Sequence, residues 1–312
     1  MIRIGALGAK GKLHDRDEYV TVQAAAPAFA AFDQWVAENM DAALARPGWD
    51  VSYRAGRVHA FVHSVGGTGQ FLGGALAPSN DRAGRNYPLF VASELEPDGD
   101  AFALLESLPL ALERLWDDSS RVVSLAIVDG SVASLGALLE RTSLLPAPDL
   151  PGAISNWREW TEGMELFELA ELLIGGVDIG FLAGALRAVL AAVEPHRGAL
   201  PLRTRLSLKL PLGRAGGAAV CFWLGIAQRA LGWERVLPSF FWTHDGDAGS
   251  LLLHVGAPPR TSLAQLWMPE PAEDVVDLFE SSAAHAGARV APALESVLTT
   301  EGATVADLFA AL

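Results

Sequence analysis

Three short apolar runs between residues 57 and 93 constrain the fold of this chain more than any other feature. They cover residues 57–63, 70–76 and 87–93, and glycines at 56, 66 and 67 and a polar loop separate them. Glycine supplies the positive φ that tight hairpin turns require. The sequence therefore predicts hairpin-linked strands and a largely antiparallel sheet in this part of the chain.

Helices are expected on either side of these strands. Pro27 is placed to open the first one, and prolines favour the first helical turn. Its apolar face recurs at three- and four-residue steps at Phe29, Phe32, Val36 and Met40. A second amphipathic helix is predicted over residues 100–117, and a further short strand over residues 50–53.

The Pro-rich stretch at 145–151 is the best candidate for a domain boundary. It divides the chain into a predicted α/β domain, 1–145, and a more helical, mixed domain, 152–312. Candidate helices in the second part cover residues 157–173, 179–192, 218–231 and 272–286. Strand-like runs at 202–210 and 236–255 would extend the first sheet, in which case the two parts share one core. The predicted fold class is α/β, with a mostly antiparallel sheet flanked by helices.

Charge and composition exclude several classes of function. The chain is 51% hydrophobic and 19% charged, which excludes a disordered protein. It carries 23 basic and 37 acidic residues, a net charge of −14, whereas polyanion binding needs dense cations. No nucleic acid partner is therefore expected. The most apolar segment, 217–226, is far shorter than the ~20 residues of a membrane span, so we expect a cytoplasmic protein without membrane insertion.

The acidity is concentrated in one part of the chain. Residues 1–95 carry nine basic and nine acidic residues, and residues 96–200 carry six and seventeen, a balance of −11. The acidic side chains include Asp117, Asp118, Glu159, Glu162, Glu165 and Glu168. They could face a basic partner surface, and a solvated helix face is the simpler alternative.

Several apparent motifs do not meet the requirements of a cofactor or metal site. Gly11 and Lys12 precede Leu13, where a phosphate-binding loop needs Ser or Thr. The glycines at 67–73 depart by one position from a dinucleotide-binding pattern. Cys221 lies in an apolar run, which favours a buried structural thiol.

The histidines give no better indication of a metal. His59 and His63 share one face of a predicted strand, and no third ligand is apparent nearby. His244, Asp245 and Asp247 lie in a segment whose Asp-Gly pair is typical of a hairpin turn. We therefore expect neither a metal nor a cofactor, and the sequence offers no nucleophile–base pair.

The loop between residues 78 and 89 stands out chemically. It contains one carboxylate, Asp81, and two guanidinium groups, Arg82 and Arg85. Arginine presents a planar fork that binds carboxylates bidentately. Two interpretations remain open: an internal ion pair that clamps the loop, or a recognition surface displayed by a rigid scaffold. The residues assigned to partner binding or loop clamping are Ser79, Asp81, Arg82, Gly84 and Arg85.

This loop and four other elements resemble the TagF family, also called ImpM, of the bacterial type VI secretion system. The elements are Gly11-Lys12-Leu13, Glu18-Tyr19-Val20, Phe32-Asp33 with Trp35, Gly73-Gly74-Ala75-Leu76 and the loop 78–89. The resemblance covers about the first 95 residues. Within the N-terminal motif (Gly11, Lys12, Glu18, Tyr19), Glu18 and Tyr19 replace the Asp and Phe usual in the family. His14 and Asp17 replace a Pro and a Gly.

The resemblance implies a non-enzymatic, cytoplasmic accessory protein of the type VI secretion system. Similar proteins act as post-translational repressors by binding the forkhead-associated scaffold protein, so that protein is the expected partner. Two alternatives stay open. One is a small-molecule-binding protein or hydrolase, with Asp81, Arg82, Arg85, His244 and Asp245 between the two halves. The other is a structural component of the secretion apparatus.

Overall fold

The structure is a computed structural model of the 312-residue chain. It describes residues 2–65, 70–97, 105–142, 147–175, 179–198, 205–234, 236–243, 249–268, 275–277 and 290–312. The turn at residues 66–67 and the residues His244, Asp245 and Asp247 lie outside these ranges.

Ten described strands form one sheet. They are β1 (Ile2–Ile4), β2 (Gly8–Gly11), β3 (Val20–Val22), β4 (His59–Val65), β5 (Gln70–Ala77), β6 (Leu89–Pro97), β7 (Ser207–Pro211), β8 (Ser239–Thr243), β9 (Ser250–His254) and β10 (Val275–Asp277). Their order is β10-β7-β9-β8-β4-β5-β6-β2-β3, and β1 also pairs with β6. The β10–β7 pair is parallel and the other pairs are antiparallel, which confirms the predicted fold class.

The sheet is buried on both faces. Successive side chains of a strand point to opposite faces, and in β4 Phe61 and Val62 accordingly belong to two different apolar clusters. The cluster around Phe61 packs against the first helix through Phe32, whose ring lies 4.5 Å from that of Phe61. The cluster around Val62 contains Trp116 and Trp223 and is covered by the helices of the later chain.

The helices account for most of the remaining described chain. They are α1 (Pro27–Leu44), α2 (Trp49–Arg54), α3 (Leu108–Ala111), α4 (Glu113–Asp129), α5 (Val132–Thr142), α6 (Leu150–Gly163), α7 (Leu166–Ile174), α8 (Ile179–Val193), α9 (Gly216–Leu231), α10 (Ala264–Trp267), α11 (Pro292–Thr299) and α12 (Val305–Ala310). Pro27 is the first residue of α1, as predicted. Ten described helices, α3 to α12, follow strand β6 and two precede it, so the later chain is the more helical part.

Two secondary-structure predictions were wrong. The strand expected at 50–53 is helix α2, which begins after Gly48 at φ 77°. Trp49 and Tyr53, four residues apart, share its buried face, and this helical spacing outweighs the β propensity of Val51 and Tyr53. A helix was also expected at 272–286. The structure describes residues 275–277 of this range, and they form strand β10.

The two predicted parts of the chain contribute strands to the same sheet. Strand β8 pairs with β4, and Ala60 lies opposite Trp242. Strands β8 and β9 also pair, with Phe241 opposite Leu252. Around the predicted boundary, residues 143–146 lie outside the described ranges and α6 begins at Leu150. The division into domains 1–145 and 152–312 stays a prediction.

No helix within the described ranges is both long enough and apolar enough to cross a membrane.

Three histidines of the sheet are buried without charge partners that would favour the imidazolium form. Burial lowers the pKa of His59 to about 4, and the pKa values of His63 and His254 to about 3. An unfolded histidine titrates near pH 6.5. Below that pH the unfolded chain therefore binds more protons than the folded one, and stability falls as the pH falls.

We predict that the free energy of unfolding decreases steadily between about pH 6.5 and about pH 4. Replacing His63 by Phe should make this decrease shallower, by up to about 1.4 kcal/mol per pH unit. Urea unfolding of the wild type and of His63→Phe across this range measures both slopes. Equal slopes would contradict the assignment of His63 as a neutral, buried group.

Candidate functional site

The candidate site is built around the carboxylate of Asp81, which is buried. Its Oδ2 atom lies 3.0 Å from Lys12 Nζ and accepts a hydrogen bond of 2.7 Å from Arg85 Nε. Its Oδ1 atom accepts a hydrogen bond of 2.9 Å from the backbone N–H of Arg85. Buried charges require partners of this kind. Asp81 therefore forms ion pairs with Arg85 of its own loop and with Lys12 of the N-terminal motif, and we call these contacts the Asp81 clamp.

Backbone geometry closes the loop around this carboxylate. The N–H of Asp81 donates to the carbonyl of Arg85 at 3.2 Å, and the N–H of Gly84 donates to the carbonyl of Asp81 at 2.9 Å. Gly84 has φ 80°, in the left-handed region that glycine adopts readily. Asn80 and Asn86 pair as an isolated bridge at the base. The turn thus holds Arg82 and Arg85 at its tip.

Ser79 fixes the base of the loop to the rest of the fold. Its Oγ donates to the carbonyl of Lys12 at 2.7 Å. Its backbone N–H donates to the hydroxyl oxygen of Tyr53, and that hydroxyl donates to the carbonyl of Ser79, each at 2.9 Å. Both side chains are buried. The loop is therefore anchored to the end of β2 and to helix α2.

The N-terminal motif supplies both a close backbone contact and an exposed aromatic ring. Gly11 has φ 142°, and a Cβ at this position would lie 2.2 Å from the carbonyl oxygen of Pro88. The ammonium group of Lys12 lies 5.1 Å from the ring centre of Tyr19. Tyr19 meets Tyr87 edge to face and is 54% exposed, and Glu18 is exposed beside it.

A second ion pair joins the tip of the loop to the segment 14–19. Arg82 Nη2 contacts Asp17 Oδ2, and the backbone N–H of Arg82 donates to the backbone carbonyl of Arg16 at 3.0 Å. Arg85 Nη2 donates to the carbonyl of Asp17 at 2.6 Å. The side chains of Arg82 and Arg85 are nevertheless 65% and 61% exposed. We call the exposed side chains of Asp17, Tyr19, Arg82 and Arg85 the loop surface.

The segment 14–19 is in turn held by the turn between α4 and α5. The N–H of Asp15 donates to the carbonyl of Gly130 at 3.1 Å. The Oδ2 atom of Asp15 accepts from the N–H of Val132 at 3.0 Å. The loop surface is thus supported on one side by the Asp81 clamp and on the other by the beginning of α5.

The two carboxylates of the site have shifted pKa values for different reasons. Burial raises the pKa of Asp81, but hydrogen bonds from the Arg85 backbone and from the Lys12 and Arg85 side chains outweigh this and lower it to about 2. The hydrogen bond from Arg82 lowers the pKa of Asp17. Asp81 is therefore ionised at neutral pH, and its stabilising contribution is lost as the pH falls from about 4 to about 2.

The groups considered for metal or nucleophilic chemistry do not form an accessible site within the described ranges. No cluster of three potential metal ligands occurs there. Ser207 Oγ lies 2.8 Å from His254 Nδ1, a pair the sequence did not suggest, but both residues are fully buried. Cys221 is buried too, and burial raises the pKa of its thiol. The hypothesis of a site shared with His244 and Asp245 rests on residues outside the described ranges.

Sequence reasoning missed the roles of two members of the site. Tyr53 was assigned to a strand, so its bond to Ser79 was not expected. Asp17 was noted as a departure from the family pattern, not as the partner of Arg82.

The acidic residue Asp118, considered as a partner-facing group, is buried between Arg114 and Arg121. The acid–base spacing of three and four residues around Asp118 was the available signal.

We predict that Asp81→Asn destabilises the fold by about 3–5 kcal/mol, because it leaves the buried ammonium of Lys12 without a charge partner. The matched control is Asp17→Asn, which breaks an exposed, solvent-screened pair and should destabilise the fold far less. Urea unfolding measures both changes. Similar losses for the two variants would show that the Asp81 clamp does not hold the loop.

Residues 8–140 match the family model of the TagF N-terminal domain, described as type VI secretion system-associated. The matched range contains Asp81, the N-terminal motif and the loop surface. No curated protein matches the chain.

Among solved structures, the chain has some similarity to the crystal structure of PA0076 from Pseudomonas aeruginosa PAO1, determined at 2.05 Å resolution. The two sequences are 19% identical, and the TM-score is 0.49. The alignment covers 86% of this chain and 96% of that chain. The family model thus confirms the resemblance noted in the sequence: residues 8–140 are similar to the N-terminal domain of the type VI secretion system-associated TagF family.

Proposed function

We propose that this chain is a cytoplasmic, non-enzymatic repressor of type VI secretion that acts by binding the forkhead-associated scaffold protein of the apparatus. The family match supports a role as an accessory protein of that system. The repressor role and the forkhead-associated partner are proposed beyond the family match. Repression by binding another protein would be a post-translational form of regulation.

The observation that carries the proposal is that some side chains of one loop are buried and others are exposed. Asp81 and Ser79 are buried and used internally, whereas Arg82 and Arg85 stand exposed on the same turn. Gly84 supplies the positive φ that lets the chain turn between them. Such a rigidly held loop displays its side chains at a low entropic cost on binding. We therefore assign Ser79, Asp81 and Gly84 to shaping the loop, and Arg82 and Arg85 to contact with the partner.

The chemistry of the loop surface favours a partner that presents carboxylates beside apolar surface. Each arginine side chain is more than half exposed, and such planar forks bind carboxylates in charge-assisted pairs. Tyr19 adds an exposed ring next to them. Aromatic and arginine side chains are the residue types most often found at the energetic centres of interfaces.

We predict that Arg82→Ala weakens capture of the purified forkhead-associated protein by at least about tenfold in Kd. Asp17→Ala is the matched variant, because it removes the same ion pair but leaves the arginine. It should bind as well as the wild type or better. Surface-based binding measurements on folded variants give both values.

Arg3→Ala serves as a control, since it removes another exposed arginine. Arg3 pairs with Glu96, near the end of β6 that lies away from the loop 78–89. Failure of the wild type to bind would contradict the proposed partner. Equal losses in Arg82→Ala and Asp17→Ala would show that the ion pair supports the loop and that Arg82 does not contact the partner.

A further inference from the structure

A groove lies mostly in the C-terminal part of the chain, and of its lining residues only Glu106 falls within the TagF-matched range. It runs between α6 and α12 and has a volume of about 380 Å³. Helix α6 contributes one stripe of side chains, spaced three and four residues apart: Ile154, Trp157, Arg158, Thr161 and Glu162. Ala306 and Phe309 of α12 form the opposite wall, and Glu106 and Arg229 close one end.

The apolar floor of the groove is firmly packed. Trp157 is buried and its ring centre lies 6.2 Å from that of Phe309. Phe309 stacks in turn on Phe222, 6.1 Å away in α9. This floor therefore belongs to the core, and an apolar side chain entering the groove would meet a preformed surface.

The charged end of the groove is equally well ordered. Arg229 Nη1 donates to Glu106 Oε2 at 2.5 Å and to the carbonyl of Gly225 at 3.1 Å. Its guanidinium carbon lies 4.0 Å above the ring of Phe309. A Cβ at Gly225 would come within 2.8 Å of both Glu106 and Phe309, so this packing requires glycine. Arg229 is thus committed to an internal ion pair.

The surroundings of the groove are acidic. Residues 147–175, which form α6 and α7, carry six carboxylates and one arginine. Glu162 stands exposed on the rim of the groove, and Glu159 and Glu165 are exposed on the neighbouring turns. Arg158 lines the groove as well and is the one arginine of residues 147–175, whose formal charge is therefore −5. An occupant that matches this rim carries positive charge.

We propose that this groove is a docking site for a basic, amphipathic segment of a partner protein. One apolar side chain of the segment packs on Trp157 and Phe309, and a lysine or arginine pairs with Glu162. The groove follows α6 for about 10 Å, from Ile154 to Thr161, which is the length of two helical turns of a partner. An amphipathic helix in an apolar groove is a common mode of peptide recognition.

The test uses the full chain and a dye-labelled amphipathic peptide of leucine and lysine, with fluorescence anisotropy as the readout. A peptide of the same length in which glutamate replaces lysine is the charge control. We expect the lysine peptide to bind and the glutamate peptide not to bind. Ala306→Trp, which fills the groove, should raise the Kd at least about tenfold, and Glu162→Gln several-fold.

Two variants on α5 match these changes at exposed positions away from the groove, Ala137→Trp and Glu140→Gln. Both should bind as the wild type does, and circular dichroism shows which variants are folded. The proposal is overturned if the wild type does not bind, or if folded Ala306→Trp binds normally. It is overturned too if Glu140→Gln weakens binding as much as Glu162→Gln, because the attraction is then diffuse.

Discussion

The burial of one carboxylate determines the geometry of the candidate site. Asp81 is removed from water, so its two oxygens need hydrogen-bond donors. One donor comes from Lys12, far away in the sequence, and the others come from Arg85, four residues further on. Lys12 brings the end of β2 to the loop, and Arg85 folds the loop back on itself. The exposed arginine tips then rest on a base whose conformation is already determined. A partner that binds them needs to order little of the loop.

The sheet gives this base its rigidity. Strand β4 pairs with β5 on one side and with β8 on the other, and apolar clusters cover both faces. Ser79 continues from β5 into the loop, and Tyr53 fixes it from α2. The loop surface and the groove thus lie on different parts of a fold built on one sheet with an apolar cluster on each face. They differ in charge as well, since arginines dominate the tip of the loop and carboxylates surround the groove.

Local patterns were sufficient to predict much of this architecture. Glycine breaks and apolar runs marked β5 and β6, and the spacing from Phe29 to Met40 marked α1. The loop 78–89 was recognised from its residue types. What escaped prediction depends on partners far along the chain. Nothing near Asp81 in the sequence indicates Lys12, and nothing near Ser79 indicates Tyr53, because such pairs exist only once the strands have assembled.

The pairing of β4 with β8 has a consequence for how the chain is made. Ala60 emerges from the ribosome long before its neighbour Trp242 does, so β4 spends that interval with one edge unpaired. An open strand edge beside apolar side chains such as Phe61 pairs readily with other chains. A fragment ending near residue 140 carries the same open edge permanently. During synthesis, the arrival of β8 is therefore what protects the sheet from self-association.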